Sequence, residues 1–226
     1  MEMENDILFE FPEEIESVQT KSPIIGYERL DHMQLIGDLA QLLVDGGTLV
    51  YPTDTQYGLG VVPLKKEFLD KIFQYKKRDP SKPLSFMVGQ RDMIYRWAAV
   101  EEKAEKILDK YWPGPLTIVL KANENCPKYW QSENGEVAFR HVKLKNLNAL
   151  IEAVGGVLTS TSANETGAPP PCTFQDAYRV FDSKVDAYID GGVLSGKPST
   201  VVRVVDGKVE VLREGKISKQ KILDLL

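Results

Sequence analysis

Cysteine and histidine are scarce in this chain. Cys126 and Cys172 are the only cysteines, and His32 and His141 the only histidines. Two distant thiols with no second pair give no disulfide framework and suit a reducing compartment, so a cytoplasmic location is expected. Two imidazoles argue against a His-built metal centre or a catalytic triad, and no metal-ligating residues are assigned. No run of eighteen or more apolar residues occurs, so no membrane span or membrane partner is expected. The opening MEMENDILFEFPEEIE is acidic, with no cationic start before an apolar stretch, and does not read as a signal peptide. A basic excess is also missing. The net charge of −5 argues against a protein drawn to nucleic acid by overall charge, although a local basic patch is compatible with it.

What is present is an ordinary globular composition, 42% hydrophobic and 27% charged, over 226 residues. That length fits one domain of about 200 residues with an extension. Residues 1–30 alternate acidic and apolar groups, with Pro12 and Pro23 as breaks, and read as an N-terminal extension; residues 31–226 read as the domain. Asp31 offers an N-cap with Gln34 completing a capping box, ahead of Leu35, Ile36, Leu39, Leu42 and Leu43 at helical spacing. Strand and helix signals then alternate to the end of the chain. A hairpin stands near the close, Thr200–Val205 and Lys208–Arg213 around Asp206-Gly207. The pattern predicts an α/β (α+β-like) fold: a single three-layer domain around a mixed parallel/antiparallel sheet.

The stretch GGTLVYPTDTQYGLG, residues 46–60, organises the reading. A short buried strand, Leu49–Tyr51, stops at Pro52 and runs out into Thr53, Asp54 and Thr55, with Gly58 and Gly60 allowing a tight return. Hydroxyls and a carboxylate at a strand exit are what a ligand crevice of an α/β sheet needs; a turn that satisfies its own backbone is the plainer alternative. Other polar strand ends repeat the theme. A helix over 65–78 closes on Lys76, Lys77 and Arg78 before a proline-bounded loop, where cations either complement the helix dipole or meet an anion. Thr117 begins a strand after Trp112-Pro113-Gly114-Pro115. Arg140 ends the strand Val137–Arg140 and needs a carboxylate partner, from protein or ligand. Thr159-Ser160-Thr161-Ser162-Ala163-Asn164 closes another strand with too many hydroxyls for core filling.

Gly191–Lys197 has the spacing of a phosphate-binding loop, but Pro198 stands where Ser or Thr must reach Mg²⁺. Thr200–Val205 reads as a strand where that loop needs a helix N-terminus, so this motif is rejected.

In order along the chain stand PTDTQYGLG (52–60), KKR with PL behind it (76–84), WPGPLT (112–117), VAFR (137–140), TSAN (161–164), DGG (190–192), ST before an apolar run (199–202) and LREG (212–215). Together these resemble the YrdC/YciO-like family, the threonylcarbamoyl-AMP synthase superfamily, over roughly residues 33–217. The resemblance implies a twisted mixed sheet around a wide electropositive cavity. It also implies a nucleotidyltransferase joining L-threonine, bicarbonate and ATP into threonylcarbamoyl-AMP and pyrophosphate, for tRNA threonylcarbamoyladenosine modification carried on by another protein. Mg²⁺ would arrive with the nucleotide. Carried over residue by residue, Lys76 and Arg78 are the catalytic phosphate-holding pair. Thr117, Ser162, Asn164 and Arg213 would complete the ATP site, and Thr53, Arg140 and Ser199 would hold threonine, Arg140 taking its carboxylate. The chain departs from the synthase pattern at Asp54, Asp79, Met87, Val142, Pro198 and Glu214, and its GKPST and LREG stretches are closer to the YciO branch. Two other readings follow: a paralogue binding tRNA or double-stranded RNA through the same basic cavity, in company with tRNA-modification proteins, and a nucleotide-binding regulator without turnover.

Overall fold

The alternating strand and helix signals resolve into one mixed sheet. The computed structural model describes residues 22–182 and 184–226. Among them the strands are β1 (Ile24–Gly26), β2 (Leu49–Tyr51), β3 (Gly58–Gly60), β4 (Ser85–Val88), β5 (Ala98–Ala99), β6 (Leu116–Ala122), β7 (Glu136–Arg140), β8 (Val157–Ser162), β9 (Ala187–Asp190), β10 (Thr200–Val205) and β11 (Lys208–Arg213). The helices are α1 (Met33–Val44), α2 (Lys66–Lys76), α3 (Glu102–Tyr111), α4 (Lys145–Ala153), α5 (Phe174–Phe181) and α6 (Lys219–Leu223). The strand order is β1-β9-β2-β3-β8-β4-β7-β6-β10-β11, with β5 beside β6. Parallel pairs (β4 with β7, β6 with β10) alternate with antiparallel ones (β8 with β4, β7 with β6), the mixed arrangement expected from sequence. Residues 1–21 of the expected extension lie outside the described residues; Ile24–Gly26, at its far end, adds a parallel edge strand to β9.

Alternation along the strands sorts side chains to two faces. Ile118, Leu120, Val137, Phe139, Val202 and Val204 point to one face and share a buried core with α2, α3, α5 and α6 through Leu69, Ile107, Phe181 and Ile222. The opposite face is covered only in part. There α1 and α4 bury Leu39, Leu43, Leu147 and Ile151 against Leu49, Tyr51, Met87 and Leu158. Arg140 lies beside Met87 and Thr117 beside Arg140, so β7, β6 and β10 turn Glu136, Ala138, Arg140, Thr117, Val119 and Val201 to this same face beyond the reach of those helices. That uncovered half-sheet becomes the floor of a cavity.

Local signals were mostly realised. Thr173 accepts from the Asp176 N–H at 3.1 Å to cap α5, and Ser218 caps α6. Asp206 and Gly207 take left-handed φ of 53° and 70° in the hairpin turn, their N–H groups held by Glu101. Two expectations need correction. The Asp31–Gln34 capping box does not form: Asp31 belongs to a 3₁₀ turn, α1 starts at Met33, and Gln34 donates to Asp38 instead. Gly58 to Gly60 is a strand rather than a return, paired to β2 and β8. Glycine is required there by close approach, since a Cβ at Gly58 or Gly60 would lie 2.7 or 2.8 Å from the Tyr51 ring.

A buried threonine fixes the chain after the hairpin. The Thr200 hydroxyl donates to Ile217 O at 2.5 Å and accepts from the N–H groups of Gly215 (2.9 Å) and Ile217 (3.0 Å). Thr200→Val keeps the shape but strands three buried main-chain groups. At about 1–3 kcal/mol for each unsatisfied group, partly relieved by relaxation, a loss of about 3 kcal/mol is expected. The urea midpoint should fall with an unchanged slope and recover in Thr200→Ser; a loss below about 1 kcal/mol would show that this hydroxyl does not anchor the segment.

Candidate active site

A cavity of about 660 Å³ opens over the bare half-sheet. Its wall carries Thr53, Thr55, Arg78, Thr117, Arg140, Ser162, Ser199 and Arg213, drawn from seven separate stretches of chain. Seven of the nine residues singled out in the sequence therefore line one hollow. Lys76 and Asn164 are not in the lining. They stand just behind it, where the Lys76 ammonium donates to the carbonyl oxygens of Ser162 and, at 2.6 Å, Asn164.

The turn after β2 builds the first wall. Thr53 Oγ1 accepts from the N–H groups of Thr55 and Gln56, both at 3.1 Å, and donates to Gln56 O at 2.6 Å. Its one proton is thereby used, so the 2.9 Å contact to Thr55 Oγ1 has Thr55 donating. Both readings of this stretch hold: the turn satisfies its own backbone, and it also forms a cavity wall. Arg140 comes up from the floor. Its Nη2 donates to Asp54 Oδ1 and to Thr55 Oγ1 (2.9 Å), so the carboxylate partner expected for Arg140 is Asp54. The pair is buried, with the side chains 8% and 5% exposed. It is an open pairing, because among the described residues neither Asp54 Oδ2 nor Arg140 Nε has a partner.

The opposite wall is set by the Thr200 anchor. Ser199, one residue earlier, shares a 3.0 Å hydroxyl contact with Thr117. Arg213 donates to Ser199 O from Nε and Nη2 (3.2 and 2.9 Å) and to Ser199 Oγ from Nη2 (3.1 Å). Lys216, in the anchored segment, reaches Asp54 O at 2.7 Å and ties the two walls together. On the third side α2 ends because Lys77 adopts a left-handed φ of 49°. Arg78 then turns over the proline-bounded loop, donating to Lys82 O at 3.3 Å and Pro83 O at 2.8 Å. Asn164 uses its amide to close the loop after β8, donating to Glu165 O and Ala168 O at 2.8 and 2.7 Å.

Cations outnumber anions around this hollow. Arg78, Arg140, Arg213, Lys76 and Lys216 meet only Asp54 near the strand exits. Burial lowers the pKa of Arg213, and the neighbouring Arg140 charge lowers it further. Burial also lowers Lys216, with Asp54 opposing. Lys76 is brought down to about 8, first by burial and then by Arg78. Buried like charges that depress one another are stabilised by an anion brought between them. Among the described residues no group of three or more His, Cys, Asp or Glu could hold a metal ion. The groups beside the arginines are hydroxyls and carbonyls.

Sequence reasoning missed four contributors. Asp54 was noticed in its stretch without a role, and Lys216 lies one residue past the LREG motif. Glu136 and Arg203 pair at the far end of the cavity, Arg203 donating to Glu136 Oε1 from Nε (3.0 Å) and Nη2 (2.5 Å). The available signal for Glu136 was its spacing of two and four residues before Ala138 and Arg140 on one strand face.

Comparison with known proteins places the fold and the family. A Pyrococcus abyssi threonylcarbamoyl-AMP synthase is 30% identical over 185 residues, 81% of this chain and 54% of that protein. A Methanocaldococcus jannaschii protein, provisionally named a threonylcarbamoyl-AMP synthase, is 33% identical over 81% of this chain and 87% of its own length. The crystal structure of P. abyssi Sua5 complexed with L-threonine superposes with a TM-score of 0.82 at 27% identity, covering 92% of this chain and 61% of that one. The chain thus spans little more than half of the P. abyssi protein. Escherichia coli YciO shares the fold, with a TM-score of 0.79 at 24% identity over 90% of this chain and 99% of YciO. No helix among the described residues is long and apolar enough to cross a membrane. The family model for Sua5, YciO and YrdC, described as "Telomere recombination", matches residues 41–215, and the chain belongs to that family.

Proposed function

We propose that this chain is a threonylcarbamoyl-AMP synthase, converting L-threonine, bicarbonate and ATP into threonylcarbamoyl-AMP and pyrophosphate. The observation that carries the reading is the convergence of Arg78, Arg140 and Arg213 on one hydroxyl-lined hollow. Threonine and bicarbonate lose water to give a carbamate. A carbamate oxygen then attacks the α-phosphorus of ATP, and the bond to the bridging oxygen breaks to release pyrophosphate. No protein nucleophile is needed. The work left to the protein is to neutralise charge and align two partners, which fixed cations and hydroxyls do.

In this reading Arg140 takes the threonine carboxylate, its Nη2 held from behind by Asp54 and Thr55, with Thr53 and Ser199 beside it. Arg78, Arg213, Thr117 and Ser162 face the ATP. Lys76 adds its charge from behind Ser162, exchanging a carbonyl for a phosphate oxygen when the nucleotide enters, and Asn164 holds that loop in shape. Mg²⁺ would arrive with the triphosphate as its counter-ion and would supply further neutralisation of phosphate charge beside Arg78 and Arg213.

Pyrophosphate release should require threonine and bicarbonate together; release indifferent to threonine would remove the proposal. Charge-assisted hydrogen bonds of about 1.5–3 kcal/mol set the size of side-chain effects. Arg78→Ala should therefore lower kcat/KM by about tenfold to a hundredfold. Arg140→Met, combined with Asp54→Asn so that no lone buried anion remains, should raise KM for threonine by a similar factor and leave ATP affinity within about twofold. An equal loss for both substrates would contradict the division of roles.

The Lys76 pKa of about 8 adds a pH signature. The ammonium is present below that value and lost above it, so ATP affinity should hold up to about pH 8 and then fall by up to about tenfold per unit. Binding rather than turnover is the readout, because the amine of threonine titrates as well. In Lys76→Met the slope should vanish; the same slope in that variant would assign it elsewhere.

A further inference from the structure

Arg140 and Asp54 by themselves form a neutral pair, which acts on a third charge only as a dipole. A further cation stands beside them. The Lys216 ammonium donates to the main-chain oxygen of Asp54 at 2.7 Å. The Asp54 carboxylate and the Arg140 guanidinium both act on it, the first raising its pKa and the second lowering it. Among the described residues Lys216 bonds that carbonyl and no carboxylate. The three side chains together therefore carry two positive charges against one negative.

The lysine is mounted on a segment that is closely fixed. Its main-chain N–H donates to Pro198 O at 2.9 Å. A Cβ at Gly215, the residue before it, would lie 2.3 Å from Pro198 O and 2.5 Å from the Ser199 carbonyl carbon, so only glycine allows this approach. Gly215 and Ile217 also give their N–H groups to the Thr200 hydroxyl. From this base the Lys216 side chain crosses to the turn after β2.

The two walls are already braced without it. The Gly196 N–H donates to Thr55 O at 2.9 Å, and Gln56 Nε2 donates to Gly196 O at 2.7 Å. What Lys216 adds to these neutral bonds is charge, at a cost that shows in its pKa, which burial lowers. An ammonium beside Asp54 offsets the field of that carboxylate. The guanidinium of Arg140 is then left with positive charge that its own partner does not cancel.

We propose that Lys216 is a positioning residue that acts through Asp54, keeping surplus positive charge on the Arg140–Asp54 pair so that Arg140 takes a carboxylate ligand more tightly. The inference rests on the reading of Arg140 as the group that receives the threonine carboxylate. It adds a residue outside the cavity lining that sets the strength of that contact.

The test is equilibrium binding of L-threonine and, separately, of a non-hydrolysable ATP analogue to the wild type, Lys216→Arg and Lys216→Gln. Glutamine keeps a donor for Asp54 O without the charge, whereas arginine keeps the charge. Lys216→Gln should weaken threonine binding by about threefold to tenfold, and Lys216→Arg should stay within about twofold of the wild type. Binding of the analogue should change by less than about twofold in both variants. Should Lys216→Gln fail to fold, Lys216→Met stands in as the neutral variant. Full threonine affinity in the neutral variant, a loss in Lys216→Arg as large as that in Lys216→Gln, or an equal loss for threonine and the analogue overturns the proposal. Each of these leaves threonine binding by the wild type, and with it the reading of Arg140, standing. A wild type that binds no threonine overturns both.

Discussion

A guanidinium held inside the protein by a single, incompletely matched carboxylate governs this site. Arg140 and Asp54 come from different walls, β7 and the turn after β2, and meet where water is largely excluded. Removing either partner would leave an uncompensated buried charge, a defect of about 3–5 kcal/mol. The pair is thus committed, yet open. Among the described residues one guanidinium nitrogen and one carboxylate oxygen lack partners, while Arg213 and Lys216 crowd the same region with further positive charge. A site in this condition gains from a small anion more than a neutral or balanced pocket would.

The fold creates that condition by leaving one half-sheet bare. Helices on the first face complete the core under β6, β7 and β10, whereas α1 and α4 cover only the other half of the second face. Side chains that would elsewhere be driven apolar by burial are free there to be Arg140, Thr117 or Glu136. The Thr200 hydroxyl then folds the segment after the hairpin back, which brings Lys216 to the turn after β2, while Arg213 is held on Ser199. A buried hydroxyl with no ligand contact thereby sets the shape of the hollow.

Much of this was legible in the sequence, and the boundary of legibility has a physical cause. Polar residues at strand ends, as at Thr53, Thr117, Arg140 and Ser199, are conspicuous because a sheet terminus gives them no core partner, and all four line the cavity. The hairpin at Asp206-Gly207 was local and came through intact. The Asp31–Gln34 box failed because the 3₁₀ turn before α1 consumed its first residue, a matter of tertiary packing. The helix-end position of Lys76 left dipole complement and anion contact both open, and its phosphate role came from the family resemblance. The side chain faces carbonyls behind the wall because the left-handed turn at Lys77 parts its direction from that of Arg78. Pairings such as Asp54 with Arg140 and Glu136 with Arg203 join residues far apart in sequence, which spacing alone does not reveal.

Calorimetric titration tests the central claim most directly, first with a non-hydrolysable ATP analogue and then with L-threonine on the loaded protein. Charge crowding in one shared hollow predicts one site for each ligand per chain, and threonine binding that responds to the analogue already bound. Two ligands that bind with no influence on each other, or threonine binding that survives disruption of the Arg140–Asp54 pair, would contradict the account.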